Sequence, residues 1–227
     1  MKKKFIVRLT EQDLVSLIRK QLTGDDSDVD DTNVDDGSGE TDVDIKNAIS
    51  SDGSSSKLDL KTDEGYKAYE TIADKFISSR SSNLLGITGS MLADAAKNTF
   101  SKYGSYVPPE LALAQLAMEG GFSSNADAKP IRTKNPFNVG NVDKGSTIEH
   151  SSVQDGIQSY YDLMGKNYLS GGKTASDLLS NFVNKSGNRY ATNPNYESSL
   201  KQIAGQAQRM SEPVYASLGI KSDENIA

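Results

Sequence analysis

The chain contains no cysteine. Disulfides, thiol nucleophiles and cysteine-bound zinc are therefore excluded, while the redox compartment stays open. Histidine occurs once, at His150. A Ser-His-Asp triad or a multi-histidine metal site would depend on that one residue, so His150 reads as a surface residue, and neither metal nor cofactor is expected. No apolar run approaches the roughly 18 residues of a membrane span. Lys2, Lys3 and Lys4 before Phe5, Ile6 and Val7 imitate a secretory signal, but Arg8, Glu11 and Asp13 interrupt it early, and no signal is expected. A basic surface is missing too. The formal charge of −6 is segregated: residues 1–22 carry six Lys/Arg against two Asp/Glu, residues 23–44 carry ten Asp/Glu and no Lys/Arg, and residues 45–227 carry nineteen of each. The body is neutral, without the basic stripe that nucleic-acid binding requires.

What is present divides into three parts. In residues 1–22, Thr10 and Asp13 open a helix with Leu14, Leu17, Ile18 and Leu22 on one side, read as an amphipathic docking tag or as a frayed helix packed on the body. Residues 23–62 are rich in Asp, Ser, Gly and Thr, a composition that cannot bury enough surface to order itself, and are expected to form a disordered acidic linker. Asp31, Asn33, Asp35 and Asp42 suggest a calcium loop, but Asp36 stands where that loop needs glycine. Residues 63–220 form the expected globular domain. Helical spacing predicts helices from Thr62 to about Ser79, from Met91 to Gly104, from Pro108 to Glu119, and over 152–168, 174–184 and 194–210. Residues 122–150 are irregular, with a small hairpin expected over 139–148. The fold class is mainly α with a hairpin insertion.

The most informative stretch is residues 108–140. Pro108 and Pro109 suit a first helical turn. Leu111, Leu113, Ala114, Leu116, Ala117 and Met118 make a nearly all-apolar helix, expected to be buried, and Gly120 and Gly121 end it. Glu119 thus falls at the helix end, where the last carbonyls repel negative charge and Met118 and Phe122 exclude water. Both effects raise its pKa, as a proton donor near neutral pH requires. The same residue also reads as a helix-end glutamate turned to solvent.

Four blocks then resemble a known family. Residues 114–123, AQLAMEGGFS, resemble the Ala-Gln-x-x-x-Glu-Ser/Gly-Gly-aromatic segment of glucosaminidase-type peptidoglycan hydrolases, glycoside hydrolase family 73. Asn135 to Gly140, NPFNVG, resembles its Asn-x-Phe-Gly-Ile/Val motif. Residues 152–160 resemble its Ser-x-x-Glu-Ala-x-x-Asp-Tyr helix, and residues 190–196, YATNPNY, its Tyr-Ala-Thr-Asp-Pro-x-Tyr segment. The resemblance implies a lysozyme-like helical domain, peptidoglycan as partner, Glu119 as catalytic acid and Tyr190 lining the active site. The chain departs from the pattern at Gly120, Phe122, Pro136 and Asn138.

Glycosidic cleavage usually employs a second carboxylate. Glu149, near the end of the expected hairpin, is the candidate, with Asp143 and Asp127 as rivals. Lacking one, the sugar's own 6-hydroxyl or acetamido group would act, as in the related lytic transglycosylases. Tyr190 beside the acid would hydrogen-bond it, or else is a core-edge tyrosine. Asn135, Phe137 and Asn138 would offer a stacking face and amide hydrogen bonds to N-acetyl sugars, or else build a turn and plug it; Tyr196 joins them as a substrate contact. The expected function is a glycosidase cutting β-1,4 bonds of the glycan strand at the bacterial cell wall. A lytic transglycosylase, a non-catalytic glycan-binding or structural protein, and a virion-carried cargo docked through residues 1–22 are the alternatives.

Overall fold

The computed structural model describes residues 58–140 and 147–220. The helix expected in residues 1–22, the expected linker as far as residue 57, and most of the expected hairpin lie outside them. The described residues form seven α-helices, and Val183 and Arg189 make an isolated antiparallel bridge.

Helix starts follow local side-chain chemistry. Thr62 accepts a hydrogen bond from the Gly65 amide at the start of α1 (Asp63–Ser78), and Thr88 does the same for Met91 in α2 (Gly89–Tyr103). Ser152 caps α5 (Val153–Leu163), and Thr174 with Asp177 forms a full capping box on α6 (Ala175–Ser180). Each oxygen satisfies an amide that the first turn leaves open. The prolines open α3 (Pro109–Met118), and α4 (Lys129–Arg132) is one turn in the loop beyond it. The longest helix is α7 (Tyr196–Ser217).

Three helices end elsewhere than the spacing predicts. The expected 152–168 helix leaves α geometry at Leu163 and continues as a π turn, Met164–Tyr168. The expected 174–184 helix stops at Ser180 because Asn181 is extended and the chain turns back on itself. The last helix runs past Met210 and through Pro213 to Ser217. Pro213 is exposed, whereas Val214 and Tyr215 are buried and hold the final turn to the body.

Helix α3 is buried on every side from Pro109 to Leu116 and packs against α7 and α1, while α1 also packs on α2 and α2 on α5. The buried Glu110 carboxylate accepts hydrogen bonds from Ser211 Oγ at 2.6 Å and Tyr215 OH at 2.8 Å, tying α3 to α7. The sequence places Leu58 and Leu60 in the linker, but both are buried. They are apolar residues that a composition average over a polar stretch conceals. The packed body therefore includes residues before 63, and its rigid centre carries α3 outward to end at Glu119.

Candidate active site

Glu119 is the C-terminal cap of α3, its amide bonded to the Gln115 carbonyl at 2.8 Å. Gly120 follows with φ +88°, a left-handed conformation that costs a side-chain-bearing residue but not glycine. The Gly121 amide returns to the Leu116 carbonyl at 3.0 Å, the long bond of a Schellman cap. The turn seals the helix carbonyls and leaves the Glu119 side chain partly buried. Burial pushes its carboxyl above the usual glutamate range, and hydrogen bonds from Tyr196 and Asn138 pull part of the way back. Among the described residues neither lysine nor arginine forms an ion pair with it. Such an acid holds its proton to higher pH than a solvated glutamate.

Tyr196, the first residue of α7, donates its hydroxyl to Glu119 Oε1 at 3.0 Å. Behind it, Gln115 Nε2 donates to the Tyr196 oxygen at 3.0 Å, and Tyr160 OH donates to Gln115 Oε1 at 2.5 Å. Tyr196 is 4% exposed, so the residue expected to touch sugar sits instead directly behind the acid. Neither Gln115 nor Tyr160 is among the expected site residues, although both fall on named positions of the family blocks. The available signal was Gln115 itself, the one polar side chain between Leu111 and Met118, one helical turn before Glu119.

The 133–140 loop meets the acid through Asn138. It rests on α5 at Gly156, where a Cβ would lie 2.1 Å from the Lys134 carbonyl oxygen; only glycine permits that approach. Two of its residues differ from the direct sugar contacts expected of them. Asn135 is 0% exposed; its amide donates to the Val139 carbonyl at 3.0 Å and its oxygen accepts from the Val139 amide at 3.0 Å. Phe137 is 0% exposed as well, stacked on Tyr160 with centroids 3.7 Å apart and planes at 4°. Both build the loop from inside, the turn-and-plug alternative, because their polar atoms and ring face are already consumed by protein. Asn138 is different. Its φ is +52°, which asparagine tolerates better than most residues, and its side chain reaches Glu119. Where the family pattern has glycine, this chain thus holds a left-handed turn with a residue that also carries a donor.

Tyr190 lies half-buried on the other side, its ring 5.6 Å from Tyr196 and its hydroxyl directed to the Phe137 carbonyl at 3.4 Å. Burial and the nearby Glu119 raise its pKa, so it remains a neutral phenol. Its segment is held by Arg189, which donates to both Glu197 oxygens at 2.8 and 2.7 Å, while Glu197 also accepts from the Phe182 amide. Burial aside, these bonds hold the Glu197 carboxyl below the usual range.

A match to a sequence-family model bears on this arrangement. The model is glucosaminidase, described as mannosyl-glycoprotein endo-beta-N-acetylglucosaminidase, and it covers residues 93–209. The chain belongs to the glucosaminidase family. That span runs from α2 into α7 and includes every element that holds Glu119 in place. This glucosaminidase is therefore a glycosidase of the endo-β-N-acetylglucosaminidase type, a peptidoglycan hydrolase with a lysozyme-like helical domain. Comparison with curated proteins and with solved structures gave no match.

The expected second carboxylate, Glu149, is exposed and makes no hydrogen bond or ion pair with Glu119 among the described residues. Asp127 is exposed also, and Asp143 lies outside the described residues. His150 is half-buried, its amide bonded to the Thr133 carbonyl at 3.0 Å. No group of metal-ligating residues occurs among the described residues, and no described helix is long and apolar enough to cross a membrane.

Proposed function

We propose that this glucosaminidase cuts a β-1,4 bond of the peptidoglycan glycan strand with Glu119 as general acid. The observation that carries the reading is a carboxyl at a helix end, partly buried, in no ion pair among the described residues, and backed by two neutral tyrosines. Glu119 delivers its proton to the leaving oxygen. In this reading Tyr190 and Asn138 meet the developing sugar cation, and Tyr196 holds the acid. Glu149, beside the 141–146 segment, is the proposed second carboxylate, activating water on the far face of the ring.

Product analysis tests both halves. Digestion of purified sacculi releases new reducing ends, and Glu149→Gln lowers their rate of release by about 10²-fold or more. Wild-type rate in that variant removes Glu149 from the mechanism. Anhydro-sugar ends in place of reducing ends would establish the transglycosylase alternative, which the exposed setting of Glu149 favours.

Residues 1–22 and 23–62 enter the proposal as a docking tag on an acidic tether, ahead of a catalytic body beginning near residue 58. The segregated charge supports this, and a virion or another assembly that carries the enzyme to the wall is the proposed partner. Deleting residues 1–44 leaves sacculus digestion at wild-type rate and abolishes co-purification with the carrier particle. Lost digestion with retained docking contradicts the assignment.

A further inference from the structure

We propose that Gln115, locked by Tyr160, is a positioning residue that makes Glu119 Oε1 a standing hydrogen-bond acceptor and so biases the acid's proton to Oε2. The proposal rests on the reading of Glu119 as general acid and adds which oxygen delivers the proton and what decides it.

The relay begins at its buried end, Tyr160. Tyr160 is 0% exposed, so its hydroxyl proton needs a protein acceptor, and leaving it without one is costly. Gln115 Oε1, at 2.5 Å, is that acceptor. This decides which way the Gln115 amide faces, a choice that the near-symmetric shape of the amide leaves open. With Oε1 committed to Tyr160, Nε2 must point at Tyr196, where it donates at 3.0 Å. The Tyr196 oxygen then receives a proton from Gln115, and its own proton is directed to Glu119 Oε1 at 3.0 Å. Three consecutive donors run in one direction. Turning the amide over would reverse the two inner bonds and strand the Tyr160 proton.

The chemical consequence follows by counting. A neutral carboxyl carries one proton on one of two oxygens. Oε1 faces the Tyr196 donor, which disfavours a proton there and biases it to Oε2, while Asn138 supplies the acid's second hydrogen bond. In the cleavage step Oε2–H gives its proton to the glycosidic oxygen, the sugar carbon–oxygen bond breaks, and its electron pair stays on that oxygen. Glu119 is left as a carboxylate whose Oε1 already has its hydrogen bond. The donor that ordered the acid before the step stabilises the anion after it, without rearrangement.

Gln115→Met keeps the length and removes both bonds. Tyr160→Phe removes only the hydroxyl that fixes the amide. The expected result is a roughly ten- to a hundredfold fall in kcat on sacculi for Gln115→Met with KM little changed. The alkaline limb of the pH–rate profile moves to higher pH, because Tyr196, no longer oriented and polarised by Gln115, stabilises the carboxylate less. Tyr160→Phe moves both in the same direction by less. A second measurement needs no substrate: the ¹³C titration of the Glu119 carboxyl, assigned by its loss in Glu119→Gln, shifts to higher pH in both variants. Two folded variants with wild-type kcat and an unmoved titration overturn the proposal. If Gln115→Met fails to fold, Tyr160→Phe alone decides it by the same two readouts. A wild-type protein that cuts no glycan overturns the assignment of the acid, while the titration still tests the relay independently.

Discussion

Glu119→Gln is expected to lower kcat on peptidoglycan by about 10²- to 10⁴-fold, the usual contribution of a general acid. Glutamine keeps the size of the side chain and an oxygen for Tyr196 to donate to, so the loss is chemical. The same variant is expected to be more stable than wild type at neutral pH. The sign follows from the direction of the shift. Burial raises the Glu119 carboxyl above the usual range, so the folded chain binds its proton more tightly than the unfolded chain. Stability is then full below the ordinary glutamate pKa and declines as pH rises through the raised value. A neutral amide at 119 escapes that decline. Thermal melts at pH 7 and pH 4 measure it: Glu119→Gln melts above wild type at the higher pH, and the gap narrows at the lower. Equal activity in the two proteins, with reducing ends released at the same rate, would falsify the assignment of the acid.

The second large effect is on stability. Phe137→Ala removes a ring that is fully buried and stacked on Tyr160, with Tyr161 edge-on at 6.3 Å. Such truncations cost about 3–5 kcal/mol, a large part of the roughly 5–15 kcal/mol that holds an ordinary domain together. Urea denaturation reads the loss directly. The outcome separates the two roles open to this residue. A sugar-stacking face predicts weakened substrate binding with the melting curve in place; a plug beneath the loop predicts a lowered midpoint and, in the molecules still folded, a nearly normal KM.

The sequence discloses the helices and the acid far better than the surroundings of the acid. Thr62, Ser152 and Thr174 fall at expected helix starts because a cap is a contact between residues three apart, whereas spacing alone opens the second helix at Met91 and misses its cap, Thr88. Glu119 is legible for the same reason: its helix, its glycines and its apolar neighbours are all within one short window. The loop is another matter. Asn135 and Phe137 lie in a segment with no periodicity, and whether their side chains face sugar or core depends on Tyr160 and Gly156, about twenty residues further on. The relay spans more still, since Gln115 meets Tyr160 and Tyr196 across 45 and 81 positions. Tyr196 is visible as an aromatic in a family block, but nothing local shows that its hydroxyl points at the acid. Leu58 and Leu60 are missed for the opposite reason. They contact the body, while their own neighbours in sequence are polar.

Asn138 carries two requirements at once. It sustains a left-handed backbone turn and sends an amide to the acid, and few of the other side chains serve both. Glycine keeps the turn and drops the donor. Alanine drops the donor and strains the turn. Aspartate tolerates the turn but sets a second negative charge against Glu119. The family pattern carries glycine here and so lacks the amide; in this chain the position doubles as a tuning point, where a loop residue helps to set the proton affinity of the acid.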